Sequence, residues 1–191
     1  MPAAARPAGV VRIVGGAWKR SKLVVVDRPG LRPTPARVRE TLFNWLGADL
    51  SGWRCLDAFA GTGALGFEAA SRGAAEVLLL ERERALVSLL SQARERLDAR
   101  RLRVEQADAF EWMARCPPAR FELVLLDPPF DAQAFEAGLA AACRIVVRGG
   151  FIYLEADRSV DAQAAAALGL ALHRQGRAGA VHFHLLRESG G

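Results

Sequence analysis

Leu56-Asp57-Ala58-Phe59-Ala60-Gly61-Thr62-Gly63-Ala64-Leu65-Gly66 decides the fold of this chain. The run Arg54–Phe59 reads as a short buried strand, and a helical stretch near 65–72 follows a literal G-x-G-x-x-G. Strand, glycine turn and helix open a βαβ unit. The segments beyond keep the alternation. Strand-like runs stand at Glu76–Leu80, Leu102–Gln106, Phe121–Leu126 and Phe151–Glu155, and helical stretches near 83–99, 109–115 and 132–147. Gly149-Gly150 is expected to close the last of these helices. Such alternation predicts a parallel sheet covered on both faces, an α/β fold. The tail differs. A helix near 160–167 leads to a strand from Leu170 to about Arg174. After the Gly176–Gly179 link comes a second strand, Ala180–Arg187, expected to pair antiparallel with the first.

Taken literally, the glycine loop binds a dinucleotide, with Glu81 twenty residues beyond Gly61 on a ribose. Asp57 argues against that, because a carboxylate at the strand end beside the loop repels a pyrophosphate. A cofactor with a cationic amine and no phosphate suits it better. S-adenosylmethionine is such a molecule, with an amine, a sulfonium, a ribose and an adenine. Two further acids fit it. Glu81 is placed to accept both ribose hydroxyls, unless it is a solvated strand end. Asp108 either accepts from the adenine amine or caps the following helix, and Phe110 would pack on the adenine.

Asp127-Pro128-Pro129-Phe130 directly follows the apolar strand Phe121–Leu126. Each proline fixes φ near about −65° and donates no backbone hydrogen bond, and each pushes its predecessor away from helix. The product is a stiff extended loop at a strand's carboxyl end, where open α/β sheets bind ligands. It offers a carboxylate, proline carbonyls and an aromatic face. These suit a planar ring with an exocyclic amine; the rival reading is a rigid strand-to-helix connection.

The chain has 191 residues, 51% of them hydrophobic, which fits one domain with a small appendage. Apolar runs are short and interrupted by charge, so no membrane span is expected. Residues 1–9 read as a disordered start without the apolar core of a signal peptide. Cys55, Cys116 and Cys143 are widely spaced and read as buried or free thiols in a reducing cytoplasm. His182 and His184 alternate along a strand, and a solvated sheet face explains them better than a metal, so no metal is expected.

Charge is concentrated at the front. Residues 1–48 hold nine basic side chains and two acids, whereas the rest hold 17 basic and 19 acidic groups. A basic extension over 10–48, ahead of a near-neutral domain over 49–191, points to a polyanion partner. Within it, Val10–Val14 and Lys22–Val26 read as a β-hairpin. Thr34 reads as an N-cap and Pro35 as the first residue of a helix running to Gly47. Phe43 and Trp45 fit its core face, so with Trp18 they do not decide between a nucleic-acid surface and a core.

The motifs at Asp57–Gly66, Glu81, Asp108 and Asp127–Phe130 resemble those of class I S-adenosylmethionine-dependent methyltransferases, Rossmann-like enzymes acting on exocyclic amines. The segments from Arg12 to Leu23 and from Gly30 to Leu46 narrow the resemblance to the RsmD family, which methylates the N2 amine of one guanine in bacterial 16S ribosomal RNA. The likeness runs from about residue 10 to 187. It implies a seven-stranded, mostly parallel sheet with its last strand antiparallel. It also implies an enzyme acting on 16S rRNA, in the small ribosomal subunit or an assembly intermediate; a cytoplasmic location is expected from the thiols, and a monomer is the default expectation. Asp127, Pro128, Pro129 and Phe130 are the expected catalytic loop. Asp57, Phe59, Gly61, Gly63, Glu81, Arg82, Asp108, Ala109 and Phe110 are the expected cofactor residues. Arg12, Lys19, Arg20, Lys22, Arg32, Thr34, Arg37 and Arg39 are the expected RNA contacts. Two departures from the family pattern stand out: Thr62 replaces a common serine, and Ala36 replaces an acid that often precedes Arg37.

Three rivals remain. An NAD-dependent oxidoreductase leaves Asp127–Phe130 unexplained. A DNA adenine-N6 methyltransferase shares that loop but carries a target-recognition domain absent here. A non-catalytic RNA-binding assembly factor has no need of intact Asp57, Glu81, Asp108 and Asp127.

Overall fold

The computed structural model describes residues 7–28, 31, 33–128 and 132–189. Strands β1 (Pro7–Arg12) and β2 (Lys22–Val26) form an antiparallel ribbon, and α1 (Ala36–Trp45) follows. The alternating region comprises β3 (Arg54–Asp57), α2 (Ala64–Ser71), β4 (Glu76–Glu81), α3 (Arg84–Arg96), β5 (Leu102–Gln106), α4 (Ala109–Arg115), β6 (Phe121–Leu126) and α5 (Ala132–Ile145). It is completed by β7 (Val146–Ala156), α6 (Ala162–Ala167), β8 (Leu170–Ala178) and β9 (Val181–Glu188).

Seven strands make the main sheet in the order β5-β4-β3-β6-β7-β9-β8. All neighbours are parallel except β9, which is antiparallel to both β7 and β8. The expected sheet is therefore present. Chain order runs outward one way from β3 through β4 to β5 and the other way from β6 to β7, with β9 inserted before β8. The carboxyl ends of β3 and β6 flank the reversal point, the place where such sheets take ligands.

Alternation along the strands sorts the core into two layers. Cys55, Leu79, Leu123, Leu125 and Tyr153 pack with the ribbon, α1, α2 and α3. Leu56, Leu78, Val124, Leu126, Ile152 and Leu154 pack with α4, α5 and α6 on the other face. Phe43 lies within the first layer, and Trp45 stacks on Phe183 at 5.4 Å between centroids. The ribbon and α1 thus share a core with the sheet.

Four expectations are corrected. Pro7 and Gly9, read as part of the disordered start, already pair with Val26 and Val25. Gly149-Gly150 do not close α5, which ends at Ile145, but lie inside β7 at a shift in its register with β6. A Cβ on Gly150 would stand 2.9 Å from the Val147 carbonyl oxygen and 3.0 Å from that of Glu122, so only glycine lets the strands approach there. Strand β8 runs on to Ala178, with Gly176 opposite the ring of Phe183. His184 is fully buried rather than solvated, although its ring does stack on that of His182. Its Nε2 accepts from the Val160 N–H at 3.1 Å, which leaves Nδ1 to donate to the Leu154 carbonyl at 3.4 Å. Burial lowers its pKa, so it is a neutral structural imidazole.

Cys55 and Cys116 are buried, Cys143 is half-buried, and all three are free thiols. Among the described residues no cluster of three or more metal-ligating side chains occurs, and no helix is long and apolar enough to cross a membrane.

Candidate active site

The glycine loop turns between β3 and α2, with Gly63 as the left-handed cap of α2. Asp57 ends β3 at 2% exposure, and its Oδ2 accepts from the Gly66 N–H at 2.9 Å. Position 66 must be glycine for this contact. An added Cβ would stand 3.0 Å from that oxygen and 2.7 Å from Leu79 Cδ1. Asp57 therefore ties the loop to the sheet as well as charging it. Burial, above all, pushes its carboxyl up to about 7, with repulsion from Glu81 and Glu155 adding to the rise and the Gly66 N–H opposing it.

A carboxyl raised in the folded state favours folding at low pH. Its contribution is complete below the unfolded value of about 3.9 and is lost as pH rises through about 7. Melting temperatures across that window should fall less steeply in Asp57→Asn than in the parent. Parallel curves would assign the raised affinity for protons elsewhere.

Glu81 ends β4. Its Oε2 accepts from Gly61 N–H at 3.0 Å and its Oε1 from Glu83 N–H at 2.8 Å. Each oxygen keeps a lone pair, so Glu81 organises the loop and still presents acceptors. Asp108 caps α4, its Oδ1 accepting from Phe110 and Glu111 N–H at 2.9 and 3.1 Å. The alternative of a helix cap is thus realised, and Oδ2 has no donor among the described residues. Phe110 meets Phe59 edge-to-face at 5.4 Å, which sets two aromatic rings beside these acids. Ala109 is buried beneath them, and Arg82 is exposed, its carbonyl accepting from Gln106. Leu31 reaches the loop as well, since a Cβ on Gly61 would touch its Cδ1 at 3.0 Å.

Asp127 follows β6 and is half-buried, with Pro128 buried behind it. Pro129 and Phe130 lie outside the described residues, as does Arg32. Burial first, then the charges of Glu155 and Asp57, raise Asp127 well above the usual carboxylate range. These three acids thus converge at the carboxyl ends of β3, β6 and β7. Among the described residues no basic side chain enters the set, which suits a cationic ligand and opposes a pyrophosphate.

Sequence reasoning missed Glu155. It is 5% exposed, and its Oε1 accepts from Thr34 Oγ1 at 2.6 Å and from the Tyr153 hydroxyl at 2.9 Å. The available signal is a fifth acid at the end of a strand-like run, Phe151–Glu155. Thr34 is corrected with it. It is buried on Glu155, and Pro35, not Thr34, caps α1 without any side-chain hydrogen bond. Donation to a buried carboxylate turns the Thr34 side chain toward Glu155, and its oxygen accepts no N–H from the first turn of α1.

Arg39 is corrected too. It is 2% exposed, paired with Glu68 Oε2 at 3.2 Å and donating to the Thr34 carbonyl at 3.1 Å. It braces the site from within and does not face a phosphate. Arg12, Lys19, Arg20, Lys22 and Arg37 are exposed as expected. The loop between the strands of the ribbon is stitched to the end of α2: Ala17 N–H donates to the Ser71 carbonyl at 2.7 Å and Trp18 N–H to Ser71 Oγ at 2.9 Å. Gly16, at φ +74°, makes this possible, because a Cβ there would overlap the Ser71 carbonyl.

Residues 11–187 match the family model described as conserved hypothetical protein 95. The chain is 39% identical over 185 residues to ribosomal RNA small subunit methyltransferase D of Escherichia coli, covering 94% of this chain and 91% of that protein. The chain belongs to the RsmD family. A second member, the protein of the same name from Haemophilus influenzae, is 37% identical over 78% of this chain and 80% of its own. The solved structure of yhhF from Escherichia coli superposes with a TM-score of 0.83 at 35% identity, covering 96% of this chain and all of that one. The RsmD-family fold is thus a class I methyltransferase fold. Trm1 of Pyrococcus horikoshii, solved with S-adenosyl-L-methionine, shares that fold at 16% identity and a TM-score of 0.69, covering 89% of this chain and 60% of that one.

Proposed function

We propose that this protein transfers a methyl group from S-adenosylmethionine to the exocyclic N2 amine of a guanine in 16S ribosomal RNA, within the small ribosomal subunit or an assembly intermediate. The carrying observation is the half-buried Asp127 at the end of β6, beside Asp57 and the glycine loop, in a chain similar over its whole length to a small-subunit rRNA methyltransferase.

The donor set fits the cofactor. Asp57 and the loop Gly61–Gly63 would hold its cationic end, Glu81 its ribose, and Asp108, Ala109, Phe110 and Phe59 its adenine, with Arg82 at the rim. S-adenosylmethionine supplies an electrophilic methyl on a sulfonium. The residues of the chain do the rest. An amine conjugated to a purine is a poor nucleophile, because its lone pair is delocalised. The Asp127 carboxylate and the Pro128 carbonyl accept hydrogen bonds from the NH₂. They favour a tetrahedral nitrogen and set negative potential where positive charge develops. Phe130, which follows in the sequence, would supply an aromatic ring for the base. Holding the nitrogen about 3–3.5 Å from the methyl supplies much of the remaining acceleration. No strong base is needed, since an alkylated nitrogen loses its proton readily.

The acceptor base must leave its stack, which costs a few kcal/mol and least in a single-stranded loop. Arg12, Lys19, Arg20, Lys22 and Arg37 form the RNA-facing side of the 10–48 extension, with Arg32 in the same segment. Neutralising Lys19, Arg20 and Lys22 together should flatten the dependence of log affinity on log salt by roughly 0.7–0.9 per lost phosphate contact. An unchanged slope would move the RNA to another surface. The enzyme is expected to act as a monomer in the cytoplasm, where ribosomal subunits are assembled.

The deciding experiment offers labelled S-adenosylmethionine with unmethylated small subunits, naked 16S RNA and duplex DNA. Label recovered as N2-methylguanine from the subunit or its RNA supports the reading. Label only in DNA, as N6-methyladenine, or no label at all, would overturn it.

A further inference from the structure

Asp-Pro-Pro-aromatic loops serve any ring that carries an exocyclic amine, so Asp127 alone does not choose guanine over another aminopurine. The choice must come from a group that meets the ring beside that amine. On guanine one of the two ring nitrogens flanking the 2-amine is N1–H, a donor; the other, N3, is an acceptor. On adenine the neighbour of the amine is an unprotonated nitrogen, an acceptor. A second acceptor next to Asp127 would therefore select guanine.

Glu155 stands in that place. Leu126 and Leu154 are partners in the parallel β6–β7 register, so Asp127, just past β6, and Glu155, near the end of β7, follow side by side. Alternation puts both on the face of Leu125 and Tyr153, the layer that carries Asp57 and the N-terminal extension. The Glu155 side chain is not free to turn. Thr34 and Tyr153 both donate to Oε1, from 2.6 and 2.9 Å. No described residue donates to Oε2. Two hydroxyls thus pin one oxygen, and the other has no donor among the described residues. Burial chiefly raises both Asp127 and Glu155, and for Asp127 the charge of Glu155 adds to the rise, as adjacent carboxyls at one site require.

Resting on the function proposed above, we infer that Glu155 is the specificity-determining residue for the acceptor base: its Oε2 accepts from guanine N1–H while Asp127 accepts from the 2-amine. Thr34 and Tyr153 are positioning residues that hold this oxygen toward the base. Thr34 belongs to the 10–48 extension, so seating of that extension and reading of the base share one hydrogen bond.

Glu155→Gln tests the assignment with little change of shape. The hydroxyls of Thr34 and Tyr153 keep the amide oxygen at the Oε1 position, which leaves an NH₂ donor where Oε2 was. The substrates are two ligated small-subunit RNAs, one with guanine and one with 2-aminopurine at the acceptor position. 2-Aminopurine keeps the 2-amine, but its N1 is an acceptor. The parent enzyme should favour guanine in kcat/KM by about 10- to 100-fold, the effect of a hydrogen bond to a charged group. In Glu155→Gln the ratio should fall to about one or invert, with cofactor affinity unchanged. 2-Aminopurine also lacks O6, so the change in the ratio between protein forms is the quantity that counts. Equal use of the two bases by the parent overturns the inference without needing the variant to fold. An unchanged ratio in a folded variant overturns it too. Failure of the parent to methylate guanine at all would instead remove the reading on which the inference rests, and the inference with it.

Discussion

Asp127→Ala should abolish methyl transfer, by about 10²-fold or more in kcat, while leaving affinity for S-adenosylmethionine within a few-fold of the parent. That magnitude is typical of removing one preorganised group aimed at developing charge. The split between the two readouts follows from position. Asp127 ends β6, on the β7 side of the reversal point, whereas Asp57, Glu81 and Asp108 end β3, β4 and β5 on the other side. Calorimetry with the cofactor and single-turnover transfer to unmethylated subunits would separate them. Near-normal turnover would refute the role given to Asp127. Loss of cofactor binding in parallel would make it a cofactor residue instead. Stability is expected to hold or rise, because the substitution removes a carboxyl that burial and the charges of Glu155 and Asp57 disfavour in its ionised form.

Glu68→Ala should be strongly destabilising. Glu68 lies on α2 at 0% exposure. Its Oε2 accepts from Val14 N–H at 2.9 Å and from Arg39 Nη1 at 3.2 Å, and its Oε1 accepts from Arg72 Nε at 2.9 Å. Arg72 in turn stacks over Phe43 at 4.9 Å. One carboxylate thus joins the ribbon, α1 and α2. Removing it leaves two guanidinium groups and an N–H without their partner, and breaking a buried pair in this way costs about 3–5 kcal/mol. For a chain of this size that corresponds to a fall in melting temperature on the order of 10 °C. The exposed pairs Arg100–Asp98 and Arg115–Glu111 provide the contrast. Their removal should leave the melting temperature nearly unchanged, since solvent already screens them. A Glu68→Ala protein that melts with the parent would mean that water or a rearranged partner replaces the carboxylate. Arg39→Ala should act in the same direction, weakening RNA binding only as far as it loosens the fold.

The two substitutions differ in how far their targets could be read from the chain. Asp127 is legible because its signal is local. An apolar strand stops at an acid followed by two prolines, and the backbone restrictions of proline act on immediate neighbours. Glu68 offers no such signal. It sits in a helix beside small and apolar residues, and only the packing of α1 and Val14 against that helix reveals its role.

Local chemistry in the sequence by itself determined the alternation of strands and helices, the phosphate-averse character of the glycine loop, and the acids at successive strand ends. Each follows from periodicity, from proline and glycine stereochemistry, or from charge within a few residues. Tertiary structure alone decided the partners of buried polar groups. The sequence suggests a helix cap at Thr34, yet its hydroxyl meets Glu155, 121 residues away. It suggests a phosphate contact at Arg39, yet that side chain is held by Glu68 and the Thr34 carbonyl. It suggests a solvated His184, yet the ring is fixed between Val160 and Leu154. A buried polar side chain must find a hydrogen-bonding partner, but the requirement names no position in the chain. Only the sheet order, which brings β7 beside β6 and the N-terminal extension over both, selects that partner.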